Sequence, residues 1–119
     1  IADAHAYAAT KFARDILSVA DNLGRALAAL TDEQRANEGI KPLITGLEAT
    51  ERELLGVFER HGITRIAAIG LPLDPNQHQA MLEIPSDKAP GTIVQEMQAG
   101  YMLKDRLLRP AMVGVAKAG

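Results

Sequence analysis

Gly100-Tyr101-Met102-Leu103-Lys104-Asp105-Arg106-Leu107-Leu108-Arg109-Pro110-Ala111-Met112-Val113-Gly114-Val115 has two apolar runs flanking the polar pair Lys104-Asp105. That is the pattern of a β-hairpin with a two-residue turn. Tyr101 and Leu103 alternate with their neighbours on the first strand, and Leu107, Met112, Val113 and Val115 carry the apolar theme onward. Arg106 follows the turn directly, so it projects from the start of the second strand. Guanidinium groups are costly to bury, which favours a surface-reaching arginine, whether as a contact or on a solvated strand face. Pro110 cannot donate to a ladder and is expected at an edge or a bulge.

Upstream the period of two continues. Ile93 to Gln98 alternates, with Ile93, Gln95 and Met97 on one face and Val94, Glu96 and Gln98 on the other. Ala80 to Ile84 reads as a strand stopped by Pro85, and Ser86 to Gly91 as a loop. Asp74-Pro75 sets a capping side chain before a helix-compatible proline, which predicts one short helical turn over 75–79. Ile63-Thr64-Arg65-Ile66-Ala67 is a further strand, ended by Gly70 and Pro72. Residues 63–119 are therefore expected to form a small all-β module of about five short strands. A module of that size is marginal unless attached to something else.

Before Gly62 the period is helical. Phe12, Ile16, Val19, Leu23, Ala26 and Leu30 recur at alternating spacings of four and three, with Leu17, Ala20 and Leu27 widening the stripe on one side. Such a stripe needs a second helix, from the same chain or from another. Thr31 to Gly39 is polar and reads as a connecting loop. A second helix begins near Pro42, where a missing N–H costs nothing, and Leu43, Leu47, Leu54 and Phe58 supply its apolar face. Gly62 suits the left-handed stop after that helix. Gly46 sits in mid-helix, where glycine costs about 1 kcal/mol against alanine. It marks either a close approach or simple tolerance. The expected class is α+β, with a helical region over 1–62 and a β domain over 63–119.

Composition narrows the function. Apolar residues make up 47% of the 119, but aromatics only 3%, which suits helix seams and a thin sheet rather than a deep core. Cysteine is absent, which excludes thiolate chemistry and Cys-based zinc sites and fits a reducing, cytoplasmic setting. The net charge of −2 does not favour nucleic acid, although Lys104, Arg106, Arg109 and Lys117 against Asp105 make the C-terminal end cationic. No apolar run approaches the roughly 20 residues of a membrane span. Ile1 opens on helix-forming sequence without an initiator methionine, so the chain is expected to be part of a longer one. His5, His61 and His78 lie far apart, and His78 near Asp74 is expected to bond or pack locally rather than hold a metal. No phosphate-binding glycine loop is present, so direct nucleotide binding is not expected, and neither is a cofactor or an enzyme activity.

Gly100-Tyr101 followed by Arg106, Leu108-Arg109, Ala111 and Val113-x-Val115 resembles the C-terminal signature of the GrpE family. Pro72-Leu73-Asp74-Pro75-Asn76-Gln77-His78-Gln79-Ala80 matches a second block of that family, in the right order and at a fitting distance. The likeness runs from about Lys11 to the end. Lys104-Asp105 departs from it, because the family commonly has a glycine-containing pair at this turn. The resemblance implies an exchange factor for DnaK-type chaperones: a homodimer paired in parallel through a long helix, with shorter helices completing a four-helix bundle and a β domain extending from each chain. Phe12, Ile16, Val19 and Leu23 would line the intersubunit seam, with Leu47, Leu54 and Phe58 at bundle positions. Arg106, Met97 and Val115 would contact the chaperone's ATPase domain, and Gly46 matches a bundle glycine linked to chaperone binding. The rival expectation is a helical dimerisation scaffold whose β module binds another protein without any effect on nucleotide.

Overall fold

Twenty-seven residues without a proline, Ala2–Ala28, form helix α1. The computed structural model describes residues 2–118, with side chains over 8–118. Ile1 and the side chain of His5 lie outside these. The fold is α+β, and it divides into two compact units, Ile1–His61 and Gly62–Gly119.

In the first unit α1 packs on α3, Lys41–Arg60. The stripe of α1 that is buried is Ala13, Leu17, Ala20 and Leu27. Gly24 belongs to it by spacing, and a Cβ there would lie 3.6 Å from a Glu51 oxygen. Small residues at 13, 20 and 24 let the partner helix come close, while Leu17 and Leu27 fill the space between. The heptad seam read from the sequence lies one position earlier at every step, about 100° around the helix. Phe12 and Val19 on that seam are 67% and 52% exposed, and Ile16 and Leu23 are half-buried. The two stripes serve different neighbours.

The segment expected to be a loop, Thr31 to Gly39, contains a short helix, α2, Asp32–Ala36. Thr31 Oγ1 accepts from the Gln34 N–H at 3.0 Å, and the Thr31 N–H donates back to Gln34 Oε1 at 2.8 Å. This capping box nucleates a turn in sequence that buries nothing, which is why apolar periodicity gave no sign of it. Arg35 on α2 donates to the Leu27 carbonyl at 2.9 Å and pairs with Glu48 at 3.5 Å, joining all three helices. Pro42 occupies the first turn of α3, and Gly62, at φ 82°, takes the left-handed conformation after its C-cap His61.

Among the described residues the second unit has six strands rather than five: β1 Ile63–Arg65, β2 His78–Pro85, β3 Ile93–Gln98, β4 Tyr101–Leu103, β5 Arg106–Arg109 and β6 Ala111–Lys117. They form two three-stranded sheets, ordered β1-β4-β5 and β2-β6-β3. The extra strand comes from Pro110, where the chain leaves the first sheet and enters the second. β6 runs parallel to β2 and antiparallel to β3, and it is the centre of its sheet. Ala111, Val113 and Val115 of β6, with Ile93 and Ala68, make the core, and Leu73 packs against it. At the hairpin turn Lys104 has φ 54°, the left-handed conformation that glycine adopts at least cost.

The short helical turn expected over 75–79 is present one residue earlier: the Gln77 and His78 N–H groups donate to the Asp74 carbonyl at 2.9 and 2.7 Å, Asp74 Oδ1 accepts from the Asn76 N–H at 2.9 Å, and β2 has already begun at His78. β3 keeps the expected alternation from Val94 to Gln98, with Gln95 and Met97 exposed and Val94, Glu96 and Gln98 half-buried. Ile93 alone departs: the register shifts between Ile93 and Gln95, and Ile93 is buried at 1% while Met97, nominally on its face, is 48% exposed.

Candidate functional site

Arg106 opens β5 opposite Leu103, immediately after the turn, and its side chain is exposed. Among the described residues no hydrogen bond or ion pair engages its guanidinium. Leu107 beside it is 40% exposed. Met97 stands on the other sheet, near the end of β3. Its neighbour Glu96 is mostly buried and accepts an ion pair from Arg65 of β1, so the strand carrying Met97 is tied to the opposite sheet. A flexible thioether and a free, forked cation on one small unit are suited to a protein surface that offers carboxylates beside apolar area.

Val115 is placed differently. It is 7% exposed within the core cluster, opposite Ile93 at the start of β3. Gly46 lies in the other unit, exposed on α3, and nothing stands within 4 Å of where a Cβ would be. The β unit therefore holds Arg106, Met97 and Val115, and the helical unit holds Gly46. Of the seam residues, Phe12 and Val19 are exposed, and Ile16, Leu23, Leu47 and Leu54 are half-buried. Phe58, at 4%, is already buried in this chain.

Arg109 and His78, which the sequence did not assign to a binding role, complete the surroundings. Arg109 lies with its guanidinium carbon 5.6 Å from the centre of the Tyr101 ring, and its Nε donates to the Ala99 carbonyl at 2.8 Å. Counting outward from Lys104-Asp105 would set Tyr101 opposite Leu108, but a bulge at Tyr101/Met102 moves Arg109 there. His78 is buried, with Nδ1 accepting from the Asp74 N–H at 3.0 Å. Nε2 therefore carries the proton and donates to the Ala67 carbonyl at 2.8 Å. Among the described residues no cluster of three or more metal-ligating side chains occurs. No helix among them is long and apolar enough to cross a membrane.

Fold and surface together define an α+β interaction protein: a helical unit with an uncovered apolar seam, and a two-sheet β unit presenting Arg106 and Met97. Comparison with known proteins makes the assignment particular. The GrpE family model matches residues 1–117, and the chain belongs to that family. It is 69% identical over 118 residues to Protein GrpE of Erythrobacter litoralis, covering 98% of this chain and 60% of the relative. Identity is 68% to Protein GrpE of Novosphingobium aromaticivorans, covering 98% and 63%, and 63% to that of Zymomonas mobilis, covering 98% and 61%. The chain thus spans about three-fifths of the length of these curated relatives.

Proposed function

We propose that this chain acts as a co-chaperone, an adenine-nucleotide exchange factor that binds the ATPase domain of a DnaK-type chaperone in the cytoplasm. Membership of the GrpE family over residues 1–117 is the observation that carries the reading. The work is done by binding alone. A factor that prefers the chaperone with its nucleotide cleft open lowers the affinity for ADP, and bound ADP lowers the affinity for the factor equally. A hundredfold fall in ADP affinity requires about 2.7 kcal/mol of such preference. Arg106 is assigned a charge-assisted contact to a carboxylate, and Met97 an adaptable apolar contact beside it. Val115 is assigned to the core of the sheet that carries Met97, and exposed Gly46 leaves room for a partner to approach α3. Phe12, Ile16, Val19 and Leu23, with Leu47 and Leu54, are assigned to a homodimer seam, and Phe58 to the packing behind it.

The test is release of a fluorescent ADP analogue from a DnaK-type chaperone, with and without near-stoichiometric protein. The expected result is a large acceleration, reduced at least tenfold by Arg106→Ala, in line with loss of a charge-assisted hydrogen bond. If the chaperone is folded and release is unchanged by the wild-type chain, the scaffold reading takes its place. If Arg106→Ala exchanges as fast as wild type, the contact lies elsewhere.

A further inference from the structure

The chain crosses between the two sheets of the β unit three times, from β1 to β2, from β3 to β4 and from β5 to β6, and the last two crossings meet at one corner. It leaves the β2-β6-β3 sheet after Gln98, passes through Ala99-Gly100, and enters the other sheet at Tyr101. It returns at Pro110. The two passages are in contact: a Cβ on Gly100 would collide with the Ala111 nitrogen and lie 2.8 Å from the Pro110 carbonyl carbon. The Gly100 carbonyl accepts from the Ile66 N–H at 2.9 Å, which brings the end of the β1 segment to the same corner. Arg109 is the side chain that joins the passages. It leaves the backbone one residue before Pro110, crosses the Tyr101 ring, and its Nε donates to Ala99 at 2.8 Å.

Met97 lies two residues before Ala99, and Arg106 three residues before Arg109. They stand on different sheets, so their separation and angle are set by whatever holds the sheets together. On the Met97 side, Arg65–Glu96 is one such tie. We propose that Arg109 is the second: a positioning residue, half-buried and not itself a contact, that locks the sheet-crossing corner and so fixes how Met97 and Arg106 are presented together. This rests on the exchange-factor reading for its consequence in binding, though not for its structural content.

Arginine's Nε is bonded to Cδ, and so is the amide nitrogen of glutamine. Arg109→Gln therefore keeps a donor where Ala99 needs one and removes the charge, whereas Arg109→Met keeps the length and removes both. Chaperone affinity and ADP release are measured for both full-chain variants, below their melting temperatures. Arg109→Met is expected to weaken binding about tenfold, and Arg109→Gln to stay within about threefold of wild type, as for loss or retention of one hydrogen bond. Equal losses in the two variants would mean that the Arg109 charge itself meets the partner, which overturns the proposal. A lower melting temperature with unchanged affinity would make Arg109 merely structural and overturn it as well. A second readout needs no chaperone. The chain has no cysteine, so nitroxide labels on cysteines introduced at 97 and 106, in labelled chain diluted with an excess of unlabelled chain, report the distance within one chain. That distribution should broaden with Arg109→Met and stay narrow with Arg109→Gln. An unchanged distribution in Arg109→Met sinks the positioning role, while loss of exchange in wild type with the labels behaving as described would sink only the exchange-factor reading.

Discussion

His78 shows how much one side chain can settle once its two nitrogens are accounted for. It is buried, and each nitrogen meets a different backbone group: the Asp74 N–H at Nδ1 and the Ala67 carbonyl at Nε2. It thereby ties the turn before β2 to the segment after β1, two stretches without regular structure of their own. His78→Phe keeps a ring but leaves both backbone groups unpaired, so a loss of about 2 kcal/mol is expected in chemical denaturation. Nitrogen chemical shifts of the neutral ring should show the proton on Nε2, and a proton on Nδ1 would contradict the assigned pairing. The sequence carried part of this. Asp74 and His78, four apart, were visible as neighbours, and local bonding was the expectation. Ala67 was not visible as a partner, because a contact eleven residues back depends on how the chain folds over between strands. Arg109 was hidden for a similar reason. Its pairing with Tyr101 depends on a bulge, and a bulge shifts register by one residue without leaving a mark in the hydrophobic pattern.

At the scale of elements, α1 carries two stripes offset by one residue, and the offset makes them separable. Leu17 is fully buried within the chain, so Leu17→Ala is expected to cost about 2–5 kcal/mol whatever the oligomeric state. Phe12 and Val19 are exposed within the chain, so Phe12→Glu and Val19→Glu should leave the fold intact. If the seam pairs two chains, each charge would be forced into an apolar interface, and sedimentation should show dissociation. The apparent melting temperature of wild type should rise with protein concentration and that of Val19→Glu should not. A wild-type sedimentation pattern retained by both variants would remove these residues from any interface. Periodicity revealed the helix and its richest apolar stripe, yet not which stripe the chain keeps for itself. That was decided by residue size: Ala13, Ala20 and Gly24 admit a close helix, whereas Phe12 would hold it off. α2 was legible in principle through Thr31-Asp32-Glu33-Gln34, a capping box without an apolar face. The β strands were found from alternation and turn residues. Their division into two sheets was not, since Pro110 signals a break and does not say where the chain goes next.

For the whole molecule, the proposed activity makes a demand that a simple binder would not meet. A factor that opens the chaperone's cleft must bind less well when ADP holds the cleft closed, and the two effects must be equal by linkage. Affinity for the chaperone should therefore fall with saturating ADP by the factor by which this chain weakens ADP at equilibrium. Calorimetric titrations in both directions measure the two factors independently. Arg106 can then be sorted by what its removal does to their common value. Were Arg106 to meet a carboxylate present in both cleft states, Arg106→Ala would lower affinity and leave the coupling alone, because uniform binding shifts no equilibrium. A contact available only when the cleft is open would lower both. The second outcome is expected, since the exposed guanidinium beside the hairpin turn is held by no other described group and can follow a lobe that moves. Met97, nearer the crossing corner and more tightly framed by Glu96 and Ala99, suits the stationary side, so Met97→Ala should weaken binding with less effect on coupling. Coupling lost through Met97 and retained without Arg106 would reverse these roles and place the moving lobe against β3.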